Sequence, residues 1–162
     1  MMGVGKSTIG KRLAKNLKMK FVDIDELIEK KEKKTIKEIF NNKGEDCFRK
    51  IEAKITIEEL RKNNLVIALG GGAFINKSIR KMVVNSSLSF WLDLDLKTLL
   101  PRLKNTKKRP LLNQDNLEKT INKIYLERKK IYNEADFTIK CNSMDTNEIA
   151  NKIINLYENS GN

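Results

Sequence analysis

Histidine is absent from this chain, and cysteine, proline and tryptophan are scarce, at two, two and one in 162 residues. Cys47 and Cys141 lie far apart, lack metal-ligand spacing and have no histidine to complete a site. Reduced structural thiols are therefore expected rather than a zinc centre. Aromatic residues make up only 6%, and no recognition motif accompanies them, which argues against a dedicated nucleic-acid binder. Long apolar runs are missing as well. The longest mostly apolar stretch, residues 65–75, is interrupted by three glycines and is far too short to cross a bilayer. The first residues do not follow the basic-then-apolar order of a secretion signal. Together these absences point to a soluble, cytoplasmic protein with neither a membrane nor a nucleic acid as partner.

What the chain has in excess is positive charge. Lysine and arginine number 33 against 21 acids, a formal charge of +12, which attracts phosphates, anionic metabolites and nucleic acid alike. Much of that charge sits in solvent-facing runs such as residues 29–34. A basic surface around an anion-binding enzyme accounts for it. The length fits one domain, residues 1–162, and 40% hydrophobic content allows a buried core.

Helical and strand signals alternate from end to end, which argues an α/β domain built on a mostly parallel central sheet flanked by helices. Ile9, Leu13, Ala14 and Leu17 share one face of a helix that begins at Lys6-Ser7, with Lys11, Arg12, Lys15 and Lys18 on the other. Short buried strands are predicted at 21–24, 65–69, 88–94 and 137–141. Thr35 with Glu38, and Asp145 with Glu148, have the form of capping boxes, and Asn76 suits a cap. Gly44 should punctuate before a helix over 45–62. Pro101 should sit in the first turns of the helix after Asp95 or bend it. Residues 105–114 form a polar, basic loop, and Asp115 should open a long helix.

The strongest chemical signal is Gly3-Val4-Gly5-Lys6-Ser7-Thr8. In a P-loop, glycines let successive backbone N–H groups curl round phosphates, the lysine reaches the outer phosphates, and the following hydroxyl ligates Mg²⁺. With Gly5-Lys6-Ser7 fixed in G-x-x-x-x-G-K-[ST], the first glycine of that pattern would precede Met1, and no strand feeds the loop. Such a strand is ordinarily central, so two exposed strand edges and a thinned core are expected, with a natural start upstream of this Met1.

Further motifs follow in order: Phe21-Val22-Asp23-Ile24-Asp25, Phe48-Arg49-Lys50-Ile51-Glu52, Leu69-Gly70-Gly71-Gly72, Arg109-Pro110-Leu111-Leu112, and Arg128 ahead of Ile131-Tyr132. Over nearly its whole length the chain resembles the shikimate kinase family in these motifs, although the family's usual proline between the last arginine and the tyrosine is here Lys130. The resemblance implies a three-layer P-loop NTPase fold lacking its first strand, a substrate-binding helical segment about 25–62 and a lid about 105–114. It implies an ATP- and Mg²⁺-dependent monomer that phosphorylates the 3-hydroxyl of shikimate. Lys6, Asp25 and Arg109 would be catalytic; Gly3 to Thr8, Arg102 and Arg109 would bind ATP. Asp25, Arg49, Gly70, Gly71, Gly72 and Arg128 would bind the acid, with Glu52 orienting Arg49. Ser7, and Asp23 through water, would serve the metal.

Residue by residue, plainer readings stay open. Arg128 lies on the stripe of Leu117, Ile121, Ile124 and Ile131, where a snorkelling or structurally paired arginine also fits. Glu52 and Arg49 make an ordinary i,i+3 pair; Asp23 and Asp25 could cap a helix; Gly70–Gly72 could be a plain tight turn; Arg109 could be one more charge in 106–109. Rival functions are a small P-loop kinase for gluconate or a nucleoside monophosphate, a nucleotide-dependent nucleic-acid binder, and an inactive gene product.

Overall fold

The computed structural model describes residues 3–104 and 116–161. The order is α1 (Lys6–Asn16), β1 (Lys20–Asp23), α2 (Ile24–Glu32), α3 (Ile36–Leu60), β2 (Leu65–Ala68), a short 3₁₀ turn (Ala73–Ile75), α4 (Lys77–Ser86), β3 (Phe90–Asp93), α5 (Leu96–Lys104), α6 (Leu117–Tyr132), β4 (Phe137–Lys140) and α7 (Thr146–Asn159). The four strands of the described residues pair in parallel, β1 with β2 from Lys20 opposite Leu65, and β3 with β4 from Phe90 opposite Phe137. Among the described residues they form two separate two-stranded sheets. Between the half-sheets runs a groove of about 920 Å³ whose walls include Val66, Ala68, Phe90 and Trp91, with Ile9 of α1 and Ile153 of α7. The two exposed edges expected from the sequence are thus present.

Apolar periodicity places the cores. Ile9, Leu13, Ile79, Trp91, Ile121 and Ile153 belong to the main core, and Ile24, Ile28, Ile39, Phe48 and Ile55 form a second one under α2 and α3. Ile67 and Leu69 pack against both, so the α2–α3 segment is fixed to the end of β2. Both predicted capping boxes form, at Thr35–Glu38 and Asp145–Glu148, and Asn76 caps α4.

One boundary differs from expectation. β1 stops at Asp23 and α2 starts at Ile24 with no intervening loop, because the Asp23 carboxylate accepts from the N–H groups of Asp25 and Glu26. Within α3, Gly44 separates two helical stretches as expected, for it is non-helical, with φ 77° and ψ 171°, a region open essentially to glycine alone. Pro101 falls in the second turn of α5, within the first turns where it was expected. Asp115, expected to open α6, lies outside the described residues. No helix among the described residues is long and apolar enough to cross a membrane.

Candidate active site

The Gly3–Ser7 loop enters α1 through left-handed backbone. Gly3 and Gly5 have φ of 74° and 91°, and Gly5 is the N-cap of α1 without a side-chain cap. A side chain at Gly3 would also meet Leu103 at 2.9 Å and Leu99 at 3.2 Å, so the ends of these leucines would have to shift. The result is an uncapped helix N-terminus carrying Lys6 and Ser7, the geometry in which backbone dipoles favour an anion.

Ser7 links this loop to the acids. Its hydroxyl donates to Asp23 Oδ2 at 2.5 Å, while Asp23 Oδ1 accepts from the Asp25 N–H at 3.0 Å. Asp23 therefore caps α2 with one oxygen and faces the phosphate loop with the other. Two hard oxygen donors beside a phosphate loop fit Mg²⁺, which binds through one or two protein oxygens and keeps water and phosphate as its remaining ligands.

Two residues on, Asp25 reaches the glycine turn after β2. A Cβ at Gly70 would lie 2.8 Å from Asp25 Oδ1 and would collide with Glu52 Oε1, so only glycine lets both carboxylates approach this backbone. Glu52 is buried on α3 and accepts from Arg49 Nη1 at 2.6 Å. Burial pushes the Glu52 carboxyl above its ordinary value; Arg49 pulls it down, Asp25 adds to the rise and Arg128 opposes it. Burial also works against the Arg49 charge, but Glu52 and Glu45 outweigh it and hold the guanidinium pKa up.

Arg49 presses on Gly72, where a Cβ would sit 2.8 Å from Cζ. Arg128 Nη1 and the Tyr132 hydroxyl both donate to the Gly71 carbonyl at 2.5 Å. Arg80 secures the 3₁₀ turn that follows, donating to the Phe74 and Ile75 carbonyls and pairing with Glu134 at 2.7 Å. Asp93 at the end of β3 accepts from Tyr125 of α6 and from Lys140, both at 3.0 Å, and so ties the helix bearing Arg128 to the sheet.

The structure thus brings Asp25, Arg49, Glu52, Gly70–Gly72 and Arg128 together, with Ser7 and Asp23 joining them to the loop. Arg102 is exposed on α5, the helix whose Leu99 and Leu103 face Gly3, and is near enough for its charge to act on the Cys141 thiol. Arg109 and the 105–114 lid lie outside the described residues. Sequence reasoning gave no role to Glu45, Arg80 or the Tyr132 hydroxyl. Only Glu45 carried a signal, its i,i+4 spacing before Arg49.

A phosphate-binding loop on one side of Asp23 and a basic, anion-ready turn on the other is the division of labour of a small P-loop phosphotransferase, the class to which fold and site assign this chain. Known relatives narrow that class. The family model for shikimate kinase matches residues 2–158. The chain is 41% identical over 154 residues to a shikimate kinase of Bartonella henselae, covering 95% of this chain and 73% of that protein. It is 43% identical over 153 residues to one of Sulfurihydrogenibium sp., covering 94% and 91%. Among solved structures, a shikimate kinase from Acinetobacter baumannii in complex with shikimate superposes with a TM-score of 0.94 at 33% identity, over 98% of this chain and 89% of that one. One from Aquifex aeolicus superposes with a TM-score of 0.87 at 34% identity, over 99% and 94%. The chain belongs to the shikimate kinase family.

Proposed function

We propose that the protein transfers the γ-phosphoryl group of ATP to the 3-hydroxyl of shikimate, giving shikimate 3-phosphate and ADP, with the residues above in the following roles. The observation that carries this reading is the convergence of Asp25, Arg49 and Arg128 on the Gly70–Gly72 turn, joined to the phosphate loop through Ser7 and Asp23. Backbone N–H groups over residues 3–8 cradle the ATP phosphates, Lys6 neutralises the outer ones, and Arg102 flanks the adenine. Arg49 and Arg128 take the shikimate carboxylate as charged, forked donors, and Glu52 holds Arg49 in position. The glycine turn adds backbone contacts to the acid. Asp25 orients the 3-hydroxyl and accepts its proton as the new P–O bond forms and the bond to the ADP oxygen breaks.

Ser7 and Asp23 would hold Mg²⁺, which would supply charge neutralisation at the phosphates. The same reading gives Arg109 to the transferring phosphoryl and 105–114 to a lid that excludes water. The enzyme works in it as a cytoplasmic monomer on a small molecule, without nucleic acid or membrane. Gluconate and nucleoside monophosphates are not favoured as acceptors, since every relative named above is a shikimate kinase.

The test is ADP release with Mg²⁺ and ATP, with and without shikimate. Release that depends on shikimate is expected. Lys6→Met and Asp25→Asn lose turnover, while Arg49→Ala and Arg128→Ala raise the KM for shikimate about ten- to hundred-fold, the scale of one charge-assisted contact. Unchanged shikimate affinity in both arginine variants would refute the carboxylate assignment.

A further inference from the structure

Arg49 already holds a carboxylate on each side. Nη1 donates to Glu52 at 2.6 Å, whereas Nε and Nη2 both donate to one oxygen, Glu45 Oε1, at 3.2 and 3.0 Å. The two glutamates differ in environment. The Glu52 side chain is 3% exposed and that of Glu45 is 49% exposed. Glu45 follows the break at Gly44, and its i,i+4 spacing then carries it onto Arg49 in the favourable order, acid before base. Arg49 does not need Glu45 for its orientation, since Glu52 grips one edge and Gly72 crowds the guanidinium carbon.

We propose that Glu45 is a resident carboxylate that competes with the substrate's carboxylate for the Nε–Nη2 edge of Arg49, and so sets acceptor affinity and selects for acceptors that carry an anion. This rests on the assignment of Arg49 to the acceptor carboxylate. Binding exchanges one carboxylate for another on the same donors, with Glu45 released to solvent. An uncharged acceptor brings nothing to replace that charge and leaves the Glu45–Arg49 pair closed. Being exposed, the pair is a weak competitor, and a substrate with a second arginine at its disposal displaces it.

The test compares Glu45→Gln, Arg49→Ala and the double variant, with shikimate or its neutral carboxamide as acceptor. Glu45→Gln is expected to lower the KM for shikimate about two- to five-fold, the range an exposed ion pair supports, while leaving the KM for ATP where it was. The same substitution should change the KM for the carboxamide by less, and should do nothing in the Arg49→Ala background. A KM that rises in Glu45→Gln would overturn the proposal by making Glu45 a support for Arg49; a KM that does not move would make the contact idle. If Arg49→Ala leaves shikimate affinity intact, the assignment of Arg49 fails and the proposal with it. If Arg49→Ala weakens binding and Glu45→Gln has no effect, only the competitor role is lost.

Discussion

Gly72→Ala isolates the placement of Arg49 from the stability of the fold. Gly72 has φ −111° and ψ −13°, a conformation alanine adopts without strain. By narrowing the unfolded ensemble the substitution would even favour folding by about 0.4–1 kcal/mol. The difficulty is purely local. The added methyl would stand 2.5 Å from Arg49 Nη1 and 2.8 Å from Cζ and Nη2, where ordinary contact begins at 3.4 Å. The guanidinium has to retreat by about 0.6–0.9 Å, which lengthens its 2.6 Å bond to Glu52 and moves the donors proposed to meet the substrate. A charge-assisted contact contributes about 1.5–3 kcal/mol, so the KM for shikimate should rise about ten- to hundred-fold. The melting temperature should change little, and so should the KM for ATP. Steady-state kinetics with each substrate varied in turn, beside thermal unfolding, reads all three quantities. A double-mutant cycle completes the assay: in an Arg49→Ala background, Gly72→Ala should add almost nothing. A full additional loss there, or an unchanged KM in the single variant, would refute the reasoning.

Tyr132→Phe removes the hydroxyl from the Gly71 carbonyl but leaves the Arg128 contact in place. It should lower unfolding free energy by about 0.5–1.5 kcal/mol in a urea titration, and a larger loss would mean that Arg128 cannot hold the carbonyl alone. Burial, with the charge of Asp93 adding to it, pushes the Cys141 thiol up to about 11. A thiol-specific reagent at pH 8 should therefore titrate Cys47 alone in the native protein and both cysteines after unfolding. Because the folded value is raised, the stabilisation linked to Cys141 is complete below the unfolded thiol pKa of about 8.5. It declines as pH rises toward about 11, and Cys141→Ala should flatten that part of the pH–stability curve.

The elements best legible in the sequence were those where a local signal and a periodic one coincide. α1 begins at Lys6 because the glycine loop ends there and Ile9 and Leu13 face the core. The caps of α3, α4 and α7 were readable because a cap is a contact between residues two or three apart. Asp23 was harder. Its motif suggested the metal and its position left a helix cap open; the coordinates show one carboxylate capping α2 directly after β1 and accepting from Ser7 with its other oxygen. The closeness of Asp25 and Glu52 over Gly70 depends on packing between segments far apart in sequence, which no spacing rule conveys. The same holds for the Tyr132 hydroxyl on Gly71 and for Arg80 on the 3₁₀ turn. Glu45 was visible as a neighbour of Arg49, but its hold on the forked edge is a matter of distances.

The split sheet leaves hydrogen-bonding capacity facing inward. Among the described residues β2 pairs only with β1 and β3 only with β4, so each turns a row of backbone donors and acceptors toward the apolar groove between them. Such rows do not discriminate, and any extended chain satisfies them. An extended segment placed in that slot would pair with β2 and β3 at once and join the two halves into one sheet. A short apolar peptide lying in the groove would act as a splint across the two halves of the sheet.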